Sequence, residues 1–220
     1  MIAAIRPAGT FGLLEAPADP NARAAATAVD QDPGRLAAQA THDPDPGVRA
    51  VAIAALVRIA PRRVSAPVWR RAAHDGDARV RRRVAEIAPK LGRDATCGVL
   101  LDLLADGDAW VAEAAAYAIG EQPRPTRAAV TALSNAATAH PDPLVRESAV
   151  AALGALGVPE TLPVVLAACD DKPAIRRRAV LALAAFEGDT VEARLRVALG
   201  DNDWQVRQAA EDLLAVTPEE

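Results

Sequence analysis

One short phrase recurs along the chain: Asp, any residue, Asp, two residues, Val-Arg, then an alanine-rich run. Its anchors are Val48, Val80, Val111, Val145, Ile175 and Val206, at spacings of 32, 31, 34, 30 and 31 residues. A fixed period of this length marks a repeat array. Each unit is one supersecondary element that buries its apolar face only by stacking on its neighbours. In register, four residues after each anchor stand Ala52, Val84, Ala115, Ala149, Ala179 and Ala210. Seven residues after stand Ala55, Ile87, Ala118, Ala152, Ala182 and Leu213, and eight after stand Leu56, Ala88, Ile119, Leu153, Leu183 and Leu214. Offsets 0, 4, 7 and 8 form one apolar stripe on a helix. This is the second helix of each unit.

The start of that helix is written into the phrase. Asp45, Asp77, Asp108, Asp142 and Asp203 precede their anchors by three residues, with Lys172 the exception. Asp there accepts a hydrogen bond from an otherwise unpaired N–H of the first turn. Pro46, Pro143 and Pro173 follow, at the first helical position where proline is favoured. Gly92, Gly120, Gly157 and Gly188 lie near the far ends, where glycine relieves a left-handed turn. Apolar segments over Pro67–His74, Thr96–Ala105, Arg127–Ala139, Leu162–Cys169 and Val191–Leu199 supply first helices. Residues 1–31 form a degenerate N-terminal capping segment, in which Asp19-Pro20-Asn21-Ala22-Arg23 echoes the phrase. Residues 32–220 are the array, six units with a period of about 31 residues.

The composition agrees. Hydrophobic residues make up 51% of the chain and aromatics only 3%, so the apolar content is largely Ala, Leu, Val and Ile. Small helix formers suit many thin, closely packed helices. The net charge of −4 favours neither nucleic acid nor a membrane surface over the chain as a whole. Of 25 basic residues only Lys90 and Lys172 are lysines. That skew accompanies abundant Ala, Gly and Pro, which weakens arginine richness as a sign of phosphate binding. Cys97 and Cys169 form no CxxC pair and read as buried free thiols in a reducing compartment. No secretory signal and no run of 18 apolar residues is evident, so a soluble, cytoplasmic protein without membrane contact is expected.

The phrase D-x-D-x-x-V-R-x-x-A-x-x-A-L resembles the short HEAT-like repeats of the phycobilisome (bilin) lyases, over about residues 33–216. The resemblance implies an all-α fold, a right-handed α-solenoid (superhelix) of about six HEAT-like helical hairpins. It implies that Arg49, Arg81, Arg146, Arg176 and Arg207, with Asp43, Asp75, Asp106, Asp170 and Asp201, form an Asp–Arg ladder between consecutive repeats. Ala112 and His140 are the exceptions in those two series. It also implies that second helices line the concave surface. A charge found in every unit serves the unit, so the charges that vary are the candidates for binding. On the face opposite the apolar stripe these are Arg82, Arg83, Glu86, Glu113, Tyr117, Glu147, Arg177 and Arg178. Their mixed chemistry suits a protein or charged peptide better than a phosphate backbone.

A non-catalytic protein-binding scaffold or adaptor is therefore the leading expectation, with no catalytic residue, cofactor or metal. Nucleic-acid binding is an alternative. It rests on residues 58–93, whose net charge is +8 and which include Arg62, Arg63, Arg70 and Arg71. A bilin-lyase-like or other enzymatic role is a further alternative. No GxGxxG, P-loop or GxSxG motif is present. His42, His74 and His140 read as loop residues closing helix ends, with a metal site from stacked loops the lesser reading. Trp69 lies on a first helix, and Trp110 and Trp204, at helix starts, read as packing residues.

Overall fold

The structure, a computed structural model, describes residues 19–91 and 93–216. Gly92 and most of the N-terminal capping segment lie outside the described residues. Among those described there are thirteen α-helices and no strand. They are α1 (Pro20–Val29), α2 (Pro33–His42), α3 (Pro46–Ile59), α4 (Ala66–Ala73), α5 (Ala78–Ile87), α6 (Arg93–Leu104) and α7 (Ala109–Gly120). There follow α8 (Arg127–Ala139), α9 (Pro143–Leu156), α10 (Leu162–Ala168), α11 (Pro173–Ala182), α12 (Asp189–Ala198) and α13 (Trp204–Val216). The chain is an α-solenoid. Hairpins α2–α3, α4–α5, α6–α7, α8–α9, α10–α11 and α12–α13 stack in order. The second helices α3 to α13 pack on one another more closely than the first helices do. A stack spaced more tightly along one row bends toward it, so the second helices line the concave side.

The recurring phrase forms as its chemistry dictates. Asp45 and Asp108 each accept two first-turn N–H groups, and Asp77, Asp142 and Asp203 cap their helices in the same way. Lys172 makes no side-chain cap. All six anchors are buried, as are all six residues four positions on. Helix α1 repeats the pattern: Asp19 caps it and it packs on α3.

A further buried position, five after the anchor, widens the stripe to two walls. It reads Ile53, Ala85, Ala116, Val150 and Val180, all buried, and then Glu211, which is exposed. An interior second helix has neighbours on both sides. Helix α13 has none beyond it among the described residues, so a charged residue is tolerated there.

Two glycines set how closely the second helices approach. A Cβ added to Gly120 would lie 2.9 Å from Ala152 Cβ, and one added to Gly154 would lie 2.5 Å from Ala182 Cβ. Gly120 is thus a packing residue inside α7, and the left-handed turn expected there does not form; positive φ occurs at Gly157 (56°) and Gly188 (110°). Gly98 of α6 is the opposite case: it is exposed and an added Cβ meets nothing within 4 Å. Gly98→Ala therefore raises stability by about 1 kcal/mol, from helix propensity alone. A urea melt checks it, and a neutral or lower midpoint would contradict the open environment.

Candidate functional site

The repeated charges sit between repeats. Arg49 Nε and Nη2 each lie 2.7 Å from the carboxylate oxygens of Asp75 in the next unit. The same two-pronged pair joins Arg81 to Asp106 at 2.6 and 2.9 Å, and Arg176 to Asp201 at 2.8 and 2.7 Å. Each arginine's third nitrogen bonds a loop carbonyl of its own unit, as Arg49 Nη1 does to the Asp43 oxygen at 2.8 Å. Arg23 of α1 reaches Asp43 at 3.4 Å and adds a first rung. The ladder implied by the resemblance therefore exists from Arg49 to Arg176, save at Ala112; Arg207, in the last unit described, bonds the loop carbonyls of Asp201 and Asn202 instead. One rung needs a correction. Arg146 pairs with Asp171 at 2.8 and 3.0 Å, not with Asp170, so in this unit the paired aspartate stands four residues before the anchor Ile175 rather than five. Asp170 pairs instead with Arg194.

The two exceptions, Ala112 and His140, are the two halves of a single missing rung. His140 keeps the other duty of the ladder aspartate: its Nδ1 accepts the Asp142 N–H at 3.1 Å, as Asp75 Oδ1 accepts the Asp77 N–H at 2.9 Å. Hydrogen bonds from Arg81, Arg146 and Arg176 hold Asp106, Asp171 and Asp201 below the usual carboxylate range. Burial pulls Asp75 upward, and hydrogen bonds from Arg49 and the Asp77 N–H outweigh it.

The variable residues occupy the second helices. Arg82 on α5 holds its guanidinium 5.4 Å from the Trp110 ring centroid and its Nε 3.1 Å from Glu86. Arg83 also pairs with Glu86, at 2.8 Å. On α7, Trp110, Glu113 and Tyr117 form one stripe at helical spacing. Burial pushes the Glu113 carboxyl above its usual range; the Arg82 charge opposes this and Glu86 reinforces it. Glu147 of α9 faces Arg178 of α11 at 3.6 Å, and Arg177 donates to Gln205 Oε1 at 3.1 Å. Between α9 and α11 lies a shallow groove of about 380 Å³ lined by Ala151, Gly154, Ala155, Arg178, Leu181 and Ala182, among others.

The sequence reading missed Trp110 as a member of this surface. Trp69 is buried, at 3% exposure, but Trp110 and Trp204 are 56% and 65% exposed and are not packing residues. Leu181 is 42% exposed beside the groove. Trp110 was findable, because it precedes Glu113 by three residues and Tyr117 by seven.

The basic segment is dispersed. Arg62 and Arg63 are exposed in a 3-10 turn before α4, and Arg70 and Arg71 are exposed in its last turn. The two pairs stand at opposite ends of an eight-residue helix about 12 Å long. Arg81 is engaged in the ladder, Arg79 on Asp77, and Arg82 and Arg83 on Glu86. His42 and His74 are exposed at helix ends. Among the described residues no group of three or more His, Cys, Asp or Glu could hold a metal ion, and no helix is long and apolar enough to cross a membrane. Cys169 is buried as expected, while Cys97 is only half-buried, its Sγ 3.5 Å from Thr126 Oγ1.

Comparison with known proteins agrees with this geometry. The family of HEAT repeats matches residues 34–120 and 99–184. YibA of E. coli is similar in structure, with a TM-score of 0.63 and 20% identity over 84% of this chain and 68% of that one. The CpcE–CpcF complex of phycocyanin lyase from Nostoc sp. PCC7120 is similar at a TM-score of 0.56 and 22% identity, over 84% and 76% of the two chains. A designed armadillo repeat protein in complex with the peptide (KR)4 gives 0.50 and 18%, over 90% and 94%. At these identities the likeness is one of fold. No curated protein matches the chain.

Proposed function

The chain belongs to the HEAT-repeat family, and from that membership we propose that it is a non-catalytic scaffold or adaptor that binds a protein or peptide in its concave groove. The observation that carries this reading is the exposure of Trp110, Tyr117 and Leu181, at 56, 60 and 42%, on second helices of a chain whose aromatics total only 3%. Large apolar side chains held open beside paired charges are typical of a surface that a partner covers. The repeating charges are taken up by caps and ladder, which leaves the non-repeating set for recognition. Peptide capture by a designed armadillo protein of the same general fold supports a peptide or protein as the class of partner.

The test is affinity capture from source lysate with mass spectrometry. Tyr117→Ala with Leu181→Ser reduces recovery of the captured protein at least tenfold, with helicity unchanged by circular dichroism. Arg62→Glu with Arg63→Glu, away from the groove, leaves recovery intact. Undiminished capture by the groove variant would show that the partner binds elsewhere.

A further inference from the structure

We propose that the groove recognises an extended peptide segment carrying an arginine or lysine followed, about four residues on, by an aliphatic residue. The proposal deepens the scaffold reading above and rests on it.

One carboxylate of the groove lacks an ion pair. Arg82 and Arg83 share Glu86, Arg178 pairs with Glu147, and Arg177 donates to the neutral Gln205 amide. Glu113 stands in the same row, half-buried, and no ion pair to it forms among the described residues. Among the three groove carboxylates Glu113 is thus the one without an ion pair, and the Arg82 charge acts on it only from a distance. A partner's cation would relieve the burial that raises the Glu113 carboxyl.

The aromatic side chains point to the same occupant. Trp110 and Tyr117 flank Glu113 on one helical stripe, one turn to the N-terminal side and one turn beyond. A cation above an aromatic face with a carboxylate alongside gains both interactions. Arg82, stacked 5.4 Å from the Trp110 centroid, shows that this ring accepts a guanidinium. The wider field agrees: residues 94–220 carry twenty acidic and ten basic side chains.

The second half of the motif comes from the groove between α9 and α11. Ala151, Gly154, Ala155 and Ala182 leave its floor low, and Leu181 forms one wall. Its small apolar lining fits an aliphatic side chain. It lies about one and a half helix spacings from the α7 stripe, or about 14 Å at about 9 Å per spacing. An extended chain covers that distance in about four residues.

The probe is a fluorescein-labelled glycine–serine peptide with one arginine and a leucine four residues on. It is compared with the same peptide bearing citrulline, neutral and nearly isosteric, or glutamate in the arginine's place. Fluorescence anisotropy is expected to show the arginine peptide binding at least tenfold tighter than either control. Glu113→Gln and Trp110→Ala should each weaken it at least tenfold, with circular dichroism unchanged. Equal binding of the citrulline peptide, preference for glutamate, or no binding by any of the three overturns the proposal. The scaffold reading fails separately, if capture from lysate survives Tyr117→Ala with Leu181→Ser. Loss of that capture alongside a failed arginine peptide would leave the scaffold standing and remove only the cationic specificity.

Discussion

Arg49→Leu costs about 3 kcal/mol of stability at neutral pH, and the loss falls first on the N-terminal hairpin. The side chain of Asp75 is only 6% exposed and is held by two hydrogen bonds of 2.7 Å from Arg49. Removing the arginine leaves a buried carboxylate whose remaining bond is the Asp77 N–H. A lone buried charge costs more than the intact pair is worth. Stability in a repeat array is largely a sum over neighbouring interfaces, so the damage is local to the junction of α3 with α5. Hydrogen exchange across α2 and α3 should accelerate by about a hundredfold, while α9 to α11 stay protected.

The sign of the pH dependence separates charge from packing. In the wild type the folded-state pKa of Asp75 is lowered, so this rung's contribution is present above the ordinary carboxylate pKa. It is lost as pH falls through the lowered folded value. In Arg49→Leu the lone carboxyl is protonated more readily, so the penalty seen at pH 7 should shrink toward pH 3. Adding Asp75→Asn should recover more than half of the loss at neutral pH, because the amide oxygen still accepts the Asp77 N–H. A penalty independent of pH and unrelieved by Asn would mean that the arginine acts through its methylene packing alone.

Gly154→Val costs about 2–3 kcal/mol, although valine is the better helix former. An added Cβ at Gly154 meets Ala182 Cβ at 2.5 Å and its Cα at 2.8 Å. The Cα belongs to the backbone of α11, so no rotamer change relieves the contact and the two helices must separate. Pairing the substitution with Ala182→Gly removes only the Cβ clash and should restore part of the stability. Urea unfolding of the single and double variants checks this. Gly98→Ala, on the first helix α6 where an added Cβ meets nothing within 4 Å, is expected to act in the opposite direction. Equal effects at both glycines would mean that propensity, not the approach of α9 to α11, governs the difference.

Much of this architecture was legible because it is local and periodic. An N-cap needs one aspartate next to the turn it caps, and five of the six anchors, spaced 30 to 34 residues apart, repeat that requirement. The ladder was expected from the resemblance to the short HEAT-like repeats, carried by the Asp and Arg that recur in the phrase. The ladder residue of the fifth unit was misassigned because Asp170 and Asp171 are adjacent, and only the loop path shows which one meets Arg146. The packing role of Gly120 and Gly154 was hidden because it lies between units, in the distance from one helix to the next. Trp110 was misread as a packing residue because a helix start faces inward or outward according to the neighbouring helix.

The sequence by itself determined a helical repeat array, where its helices begin, and which charges belong to every unit. Each of those properties depends on interactions within one period, and the chain states that period repeatedly. Tertiary structure alone decided which glycines bring backbones together, which aspartate completes each rung, and which carboxylate of the groove stays without a cation. These depend on how units face one another. Glu86, Glu113 and Glu147 look alike as residues of second helices. They differ because Arg82 and Arg83 reach the first, Arg178 reaches the last from the next repeat, and no arginine pairs with Glu113 among the described residues.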